Sequence, residues 1–518
     1  MDKQALRIST VIIIIASLFL IKSNIRFLKQ EFATIYPAMF LILGVGFLWL
    51  MIRVKFKISR WAWILFILSI LFQAIFMPHI HLFTPDDYWI MDQAKNTILK
   101  GSSEVCEYNV NGEENCTLMK SSGYPTLLSA SFITFGLNNY VAIWLSVLFS
   151  SSLILASYLF ARNYFRDEKN ALIFCILILL SNLYVRLTSH VENIPIALAF
   201  VAISMTSLIS YHKTNKLDYS LLASISFIIS IFIRVEFVLF VIPIIIIFIK
   251  NYKSEKDILF PSTLITIFLT LFLAQISRIS SISYNSSFSF ENLIGNLSSL
   301  KIGSYEITII LLAILGTWYF KKKSLPMIYG FIITTIFYFT WAQTNIARVM
   351  LTPVVMILFL AAGGLRYLFK ENKKILYIFL FILISFFVYK HIDMYQDINN
   401  DTVRKFNTKV LGQLDLKDDC YVIVERPVFI TATNDIKAIG TMNALSNIAA
   451  LHNLEKNACL LFYENNYCYE KIDKGPGRSE FQMDSPSRCK YIKNNFELDL
   501  IKTFNGYGLE YHLYQVYT

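Results

Sequence analysis

The chain is short of charge. Of its 518 residues, 16% are Asp, Glu, Lys or Arg and 55% are hydrophobic, with a mean hydropathy of +0.53. A soluble protein of this length needs far more polar surface, so the composition points to a multi-span membrane protein. Also missing are a phosphate-cradling GxxxxGK, a nucleic-acid motif, an internal repeat and a low-complexity tract. The formal charge of +11 therefore does not read as nucleic-acid affinity. The basic residues sit in short clusters between apolar runs, which is how cytoplasmic loops look. No nucleic acid is expected as a partner. The stretch 392–518 has neither a tryptophan nor a membrane-length run.

What is present is a series of apolar runs. A hydrocarbon core of ~30 Å takes about 20 helical residues, somewhat fewer when flanking side chains snorkel. Thirteen runs approach that length, near 8–22, 34–52, 61–78, 139–160, 171–187, 192–210, 219–233, 235–249, 258–276, 305–319, 326–341, 348–366 and 374–391. They are apolar throughout rather than alternating, so they predict helices and not barrel strands. The first follows Lys3 and Arg7 like a signal-peptide core. The sequence after it, "LIKSNIR", offers no small-x-small cleavage site, so it reads as a retained anchor. The fold class expected is an α-helical polytopic membrane protein of about 13 spans (residues 1–391), with a small C-terminal α/β domain (392–518). In that tail "YVIVE" and "CLLFYE" read as buried strands, and "TMNALSNIAALHNL" between them as one amphipathic helix. The apolar piece 123–136 is too short to cross and reads as interfacial or re-entrant.

Orientation follows from the basic residues. With the N-terminus inside, the cytoplasmic segments 1–7, 53–60, 161–170, 211–218, 250–257, 320–325 and 366–374 hold 21 Lys and Arg. The opposite side, short of the tail, holds 11, of which three lie in "IKSNIRFLKQ". The bias places the N-terminus in the cytoplasm and the tail outside, in the plasma membrane of a prokaryote. Cysteines agree. Cys175 lies in a span, while Cys106, Cys116, Cys420, Cys459, Cys468 and Cys489 all fall on the outer side. Groups of two and four fit disulfides in an oxidising compartment. Cys106 pairs with Cys116. The four tail cysteines allow three pairings. Cys420 and Cys459 each open a strand-like run, which favours Cys420–Cys459 with Cys468–Cys489.

The outer loop opens with "FTPDDYWIMDQAKNTILKG", residues 83–101. Its paired acids, Asp86 and Asp87, have two readings. One is a helix start, with acids favoured by the helix dipole. The other is chemistry. An acidic pair at the outer end of a span, then Tyr88, Ala94 and Gly101, then "GYP" at 123–125, resembles the GT-C class of membrane-embedded glycosyltransferases. The nearest likeness is to the branch with the protein O-mannosyltransferases and the lipid A aminoarabinose transferase. In that branch the loop reads like "DE-x-Y-Y…A…L…G". Here the second acid is Asp, and the aromatics stand one residue closer. "GLNNYVAIWLSVLFSSSLILASYLFARNYF" is similar to the next span, and "SHVENIPIALAF" puts Glu192 at a second acid position. "TNIARVMLTPVVMILFLAAGG" is similar to a late outer-face Arg before a proline-containing span. Three spans precede the loop where the branch normally has one, so the first two are a departure from its pattern.

The resemblance implies a GT-C-like fold with a catalytic outer loop at 79–138. It implies transfer of a sugar from a polyprenyl-phosphate donor held in the bilayer to a glycan, lipid or protein acceptor. Such transfer needs a carboxylate base, for which Asp86 is the candidate. Asp87 or Glu192 would orient the acceptor. The resemblance fixes no cofactor and leaves a divalent cation possible, which Asp86, Asp87 or Glu192 would hold. The departing phosphate needs cations, and Lys120, Arg186, Arg234 and Arg348 lie on the outer side, with Tyr124 and His190 beside them as substrate-binding candidates. Arg234 and Glu236, in "SIFIRVEFVLF", are either a functional intramembrane ion pair or a tight hairpin turn at the water interface. Arg348 is either a phosphate ligand or a snorkelling anchor. The alternative is a transporter or flippase of lipid-linked saccharides, which predicts midplane acids, broken helices and repeated halves. An oligosaccharyltransferase would carry a "WWDxG" signature that the tail lacks.

Overall fold

The structure is a computed structural model. It describes residues 37–76, 85–117, 123–188, 191–251, 304–340, 349–370, 373–399, 401–414, 416, 419–432, 434, 436–469 and 485–517. The chain divides into two compact units. A helical unit takes Met1–Met77, Ser121–Tyr124 and Ile143–Tyr395, and a sheet unit takes Pro78–Lys120, Pro125–Ala142 and Gln396–Thr518.

The apolar runs form helices. In order they are α1 (Pro37–Val54), α2 (Arg60–Phe76), α3 (Pro85–Leu99), α4 (Gly123–Phe135), α5 (Asn139–Phe165), α6 (Glu168–Leu179), α7 (Asn182–Thr188), α8 (Ile194–Thr214), α9 (Leu217–Ile233), α10 (Val241–Asn251), α11 (Ser304–Phe320), α12 (Leu325–Thr340), α13 (Leu351–Leu368) and α14 (Lys373–Asn399). Among the described residues, α1, α5, α8 and α13 are long and apolar enough to cross a membrane. The surface supports the same environment. Ile42, Val45 and Ile52 of α1 and Phe381 of α14 each stand more than two-thirds exposed, where a soluble protein would place polar side chains.

Two expected spans differ in detail. The run 171–187 is broken, since α6 ends at Leu179 and α7 starts at Asn182. Ser181 and Asn182 are residues that favour helix ends, and the Ser181 carbonyl accepts the first bond of α7 from Val185 N–H at 3.0 Å. The run 235–249 opens as a 3-10 helix, Val235–Phe240, before α10. The expected spans 8–22 and 258–276 lie outside the described residues.

Close packing in the helical unit relies on small residues. A Cβ at Gly316 would fall 1.7 Å from Leu360 O, and one at Gly364 1.9 Å from Leu312 O, so α11 and α13 touch backbone to backbone. Buried hydroxyls join helices elsewhere. Ser204 donates to Ala223 O at 2.8 Å between α8 and α9, and Ser69 bonds both Ser151 and Tyr184. Among apolar neighbours such bonds satisfy groups that water cannot reach.

The basic segments meet one another. Arg162 donates to Lys57 O at 2.6 Å, Tyr164 to Lys323 O at 2.7 Å and Lys213 to Asn163 O at 3.1 Å. Arg366 pairs with Asp167 at 3.4 Å, and Arg53 with Asp218 at 3.8 Å. Five of the segments that carry the basic bias thus gather at one end of the helical unit.

The sheet unit is built on seven strands: β1 (Val105–Tyr108), β2 (Glu114–Thr117), β3 (Cys420–Val424), β4 (Lys437–Gly440), β5 (Cys459–Glu464), β6 (Glu497–Gly506) and β7 (Leu509–Tyr517). Their order is β2-β1-β4-β3-β5-β7-β6. The centre, β4-β3-β5, is parallel, and the pairs β1/β2, β5/β7 and β6/β7 are antiparallel. β3 reads "CYVIV" because a central parallel strand is covered on both faces. Its Ile423 packs with Ile439, Leu451, Leu460, Phe462 and Val516. The tail holds more than the single β-α-β unit expected. β4 is an extra strand, and the one expected helix is two, α17 (Thr441–Ser446) and α18 (Ile448–Asn457), after the short α16 (Val428–Thr431); α15 (Thr402–Leu411) leads into β3. Asn447 makes the break between α17 and α18, its side chain accepting from Ala450 N–H at 3.1 Å. Three disulfides staple the unit: Cys106–Cys116 across the β1/β2 hairpin, Cys420–Cys459 between β3 and β5, and Cys468–Cys489, which ties the turn after β5 to α19 (Ser485–Asn495).

Candidate functional site

The quoted run becomes α3. Pro85 opens it, where its missing N–H costs nothing, and Asp86 and Asp87 occupy the first turn, as the helix dipole favours. Asp87 is fully buried. The side chain of Asp86 lies outside the described residues. Beyond Leu99 the chain passes Gly101 at φ +69, a left-handed position that suits glycine.

The rest of α3 is held within the sheet unit. Gln93 donates to Ser103 O at 3.2 Å and Asn96 to Glu104 O at 2.8 Å. Asp92 accepts from Cys106 N–H on β1 at 3.2 Å and from Asn96 at 3.2 Å. Burial pushes the Asp92 carboxyl up to about 6, against the pull of the Cys106 N–H and of Lys95. Lys95, 7% exposed as a residue, donates through its ammonium to Thr431 O at 3.1 Å and Asn434 O at 2.9 Å. The Tyr88 ring meets Phe429 edge-on at 4.2 Å, and Ser129 of α4 donates to Ala94 O at 3.0 Å. Asp92 and Lys95 were not singled out in the sequence. Their spacing from Tyr88, four and seven residues, puts all three on one helix face, and that pattern was readable.

In the helical unit a second cluster forms where α8 begins and α9 ends. Arg234 sits in extended backbone between α9 and the 3-10 helix. The groups are withdrawn from water: the side chains of Arg234, Glu236 and Glu192 are 12%, 9% and 4% exposed. Every guanidinium nitrogen has a partner. Nε and one terminal nitrogen donate to Glu236 Oε1 at 3.2 and 2.6 Å. The other donates to Glu192 Oε1 at 3.3 Å and to Asn193 Oδ1 at 3.0 Å. Asn193 in turn donates to Ile233 O at 3.3 Å. Glu192 N–H reaches Ser146 Oγ at 3.3 Å, and Ser146 bonds the Tyr124 phenol at 2.8 Å. Tyr124 is fully buried. Beside it, Gly123 lies so near α9 that a Cβ would stand 2.6 Å from Phe232 O. The sequence marked Tyr124, Glu192 and the Arg234–Glu236 pair separately, and the structure joins them in one network. It adds Ser146 and Asn193, which carried no signal beyond being polar in apolar surroundings.

Lys120, His190 and Arg348 lie outside the described residues, and Arg186 is described only as backbone in α7. Among the described residues, the ligand atoms that cluster as a metal site would are those of Cys106, Glu114 and Cys116, and both sulfurs there belong to a disulfide.

Residues 122–279 match the family profile of the dolichyl-phosphate-mannose-protein mannosyltransferases. The solved structure of ArnT from Cupriavidus metallidurans bound to undecaprenyl phosphate is similar over 88% of this chain and 98% of its own, at 11% identity and a TM-score of 0.55. The apo state of the same protein is similar over 88% and 97%, at 11% identity and a TM-score of 0.57. The archaeal oligosaccharyltransferase AglB from Archaeoglobus fulgidus, in complex with an inhibitory peptide and a dolichol-phosphate, gives 11% identity over 88% and 74%, with a TM-score of 0.44. No curated protein sequence matches the chain significantly.

Proposed function

We infer from this resemblance to the GT-C membrane glycosyltransferases that the chain moves a sugar from a polyprenyl-phosphate-linked donor to an acceptor at the outer membrane face. One coincidence carries the reading. The segment matched by a mannosyltransferase profile, 122–279, holds the buried Glu192 cluster, and 88% of the chain is similar in fold to ArnT, solved with undecaprenyl phosphate bound. The gathering of the basic segments at one end of the helical unit supports a cytoplasmic N-terminus. The three disulfides support an outer-side loop and tail.

In this reading Asp86 takes the acceptor proton as the glycosidic carbon is attacked, and Asp87 is secondary. The departing phosphate is stabilised by cations of the outer loops, with Arg348, Lys120 and Arg186 as candidates. Arg234 takes a different part from the one its sequence position implied. Two carboxylates meet its single charge, so it fixes Glu192 rather than meeting phosphate. Glu192 orients the acceptor.

The decisive variant is Asp86→Asn. Asn caps helices about as well as Asp but is not a base. A helix-start role alone therefore predicts little change, whereas a general base predicts a loss of ~100-fold or more. The assay is sugar transfer from polyprenyl-phosphate donors by the purified full chain in detergent. An active Asp86→Asn beside a dead Asp87→Asn would exchange their roles, and two fully active variants would return the pair to a helix start.

A further inference from the structure

α3 carries the proposed base in its first turn, and its later turns are fastened to segments distant in sequence. The fastening that reaches furthest is Lys95. Its two carbonyl partners lie 336 and 339 residues along the chain, in the C-terminal part of the sheet unit, at and just beyond the end of α16. The same face of α3 places Tyr88 against Phe429 of α16, and Phe429 stacks in turn on Tyr467 at 5.2 Å. Two points on one face, an aromatic contact at the first turn and an ammonium two turns on, fix both the tilt and the rotation of the helix.

A buried lysine is a poor choice for mere packing. Removing an ammonium from water is unfavourable unless its donors are met, and Leu or Met would fill the same volume without that demand. What the ammonium adds is direction, because it must sit where the two carbonyls converge. We propose that Lys95 is a positioning residue, through which the C-terminal part of the chain sets the pose of α3 and so of the Asp86–Asp87 turn. The proposal rests on the reading of Asp86 as the base. It assigns the tail a role in transfer that requires no contact with donor or acceptor.

A displaced base slows chemistry while leaving donor binding intact, because misplacement of a reacting group acts on the bound complex. The test uses the purified full chain in detergent and compares Lys95→Met, Lys95→Gln and Lys95→Arg with the parent. A further variant, Lys493→Met, serves as the control, since Lys493 pairs with Glu464 in the same unit and is 41% exposed. Two readouts are taken: kcat and KM for a polyprenyl-phosphate sugar, and amide hydrogen exchange across residues 88–99.

Lys95→Met is expected to lower kcat by about tenfold or more with KM within about twofold. Exchange in 88–99 should rise by about tenfold as α3 opens locally. Lys95→Arg, which keeps the donors, should recover part of both, and Lys493→Met should change neither. Should Lys95→Met not accumulate as folded protein, Lys95→Gln decides by the same readouts. Parent-like kcat or parent-like exchange in the folded variant overturns the proposal. A parent protein that transfers no sugar from any polyprenyl-phosphate donor overturns the functional reading, and exchange then still reports whether Lys95 holds α3.

Discussion

Arg234 in the helical unit and Lys95 in the sheet unit are both buried cations, and the chain satisfies them differently. Arg234 is met by two carboxylates and an amide, so its charge is more than cancelled. Lys95 donates to two neutral carbonyls, with Asp92 one turn away on its own helix. Within an apolar bundle the first arrangement suits a group that must stay ionised and hold a carboxylate still. The second suits a domain where the backbone itself is the thing being held. One is an electrostatic lock on a side chain, the other a mechanical pin between segments.

The difference can be broken by substitution. Arg234→Met leaves Glu192 and Glu236 buried without their cation, and losing one partner of a buried pair costs about 3–5 kcal/mol. A Tm well below that of Lys95→Met is the expected outcome in parallel thermal melts. Equal losses would mean that charge neutralisation is not what separates the two sites. Adding Glu236→Gln to Arg234→Met should restore part of the loss, because one uncompensated charge is then removed.

The next effect is pH dependence in the sheet unit. Asp92 in the folded chain holds its proton up to about 6, against an ordinary value of 3.8, with burial the leading cause and Lys95, Lys100 and the Cys106 N–H opposing it. Burial also raises Glu107, which faces the same carboxylate. A raised carboxyl favours the folded state in acid, and that contribution is lost as pH rises through about 6. At neutral pH the loss is on the order of 3 kcal/mol. Asp92→Asn removes the ionisation. Its Tm, compared with the parent, should match near pH 4 and exceed it increasingly toward pH 7. A difference independent of pH would remove Asp92 from the account.

The smallest change sharpens the helical side. Gly123→Ala would place a methyl 2.6 Å from Phe232 O, and overpacking of this kind costs about 1–3 kcal/mol. Because Tyr124 and Ser146 adjoin that contact, the variant should also perturb the Glu192 network. A parent-like Tm would show that α4 and α9 can separate without consequence.

The helical part was legible because apolar runs of membrane length leave few alternatives, and eleven of the thirteen overlap described helices, of which four are long and apolar enough to cross a membrane. Their interruptions were less so. The break at Ser181 depends on one polar dipeptide in an otherwise continuous run. The tail strands β3 and β5 were readable from their unbroken apolar sequence, but β4 is four residues long and starts with Lys437. The β1/β2 hairpin went unread although it carries a turn signal, Asn111-Gly112, with Gly112 at φ +76. At the site, isolated charges in apolar surroundings announced Glu192, Arg234 and Glu236. That Glu192 joins the Arg234–Glu236 pair was not readable, because Glu192 stands just before α8 and Arg234 just after α9, and only the tertiary packing brings them together.

The sheet has a consequence for how the molecule is made. Its β1/β2 hairpin is synthesised early and closes its own disulfide over a separation of 10 residues. β1 finds its inner neighbour, β4, pairing Tyr108 with Ile439, only after more than three hundred further residues have been made. Long loop closure makes such pairing slow. Until residues 428–434 emerge, α3 lacks both the carbonyls that Lys95 meets and the Phe429 contact. A chain truncated before residue 428 would keep the hairpin disulfide and lack every contact by which the C-terminal part of the sheet unit fastens that helix.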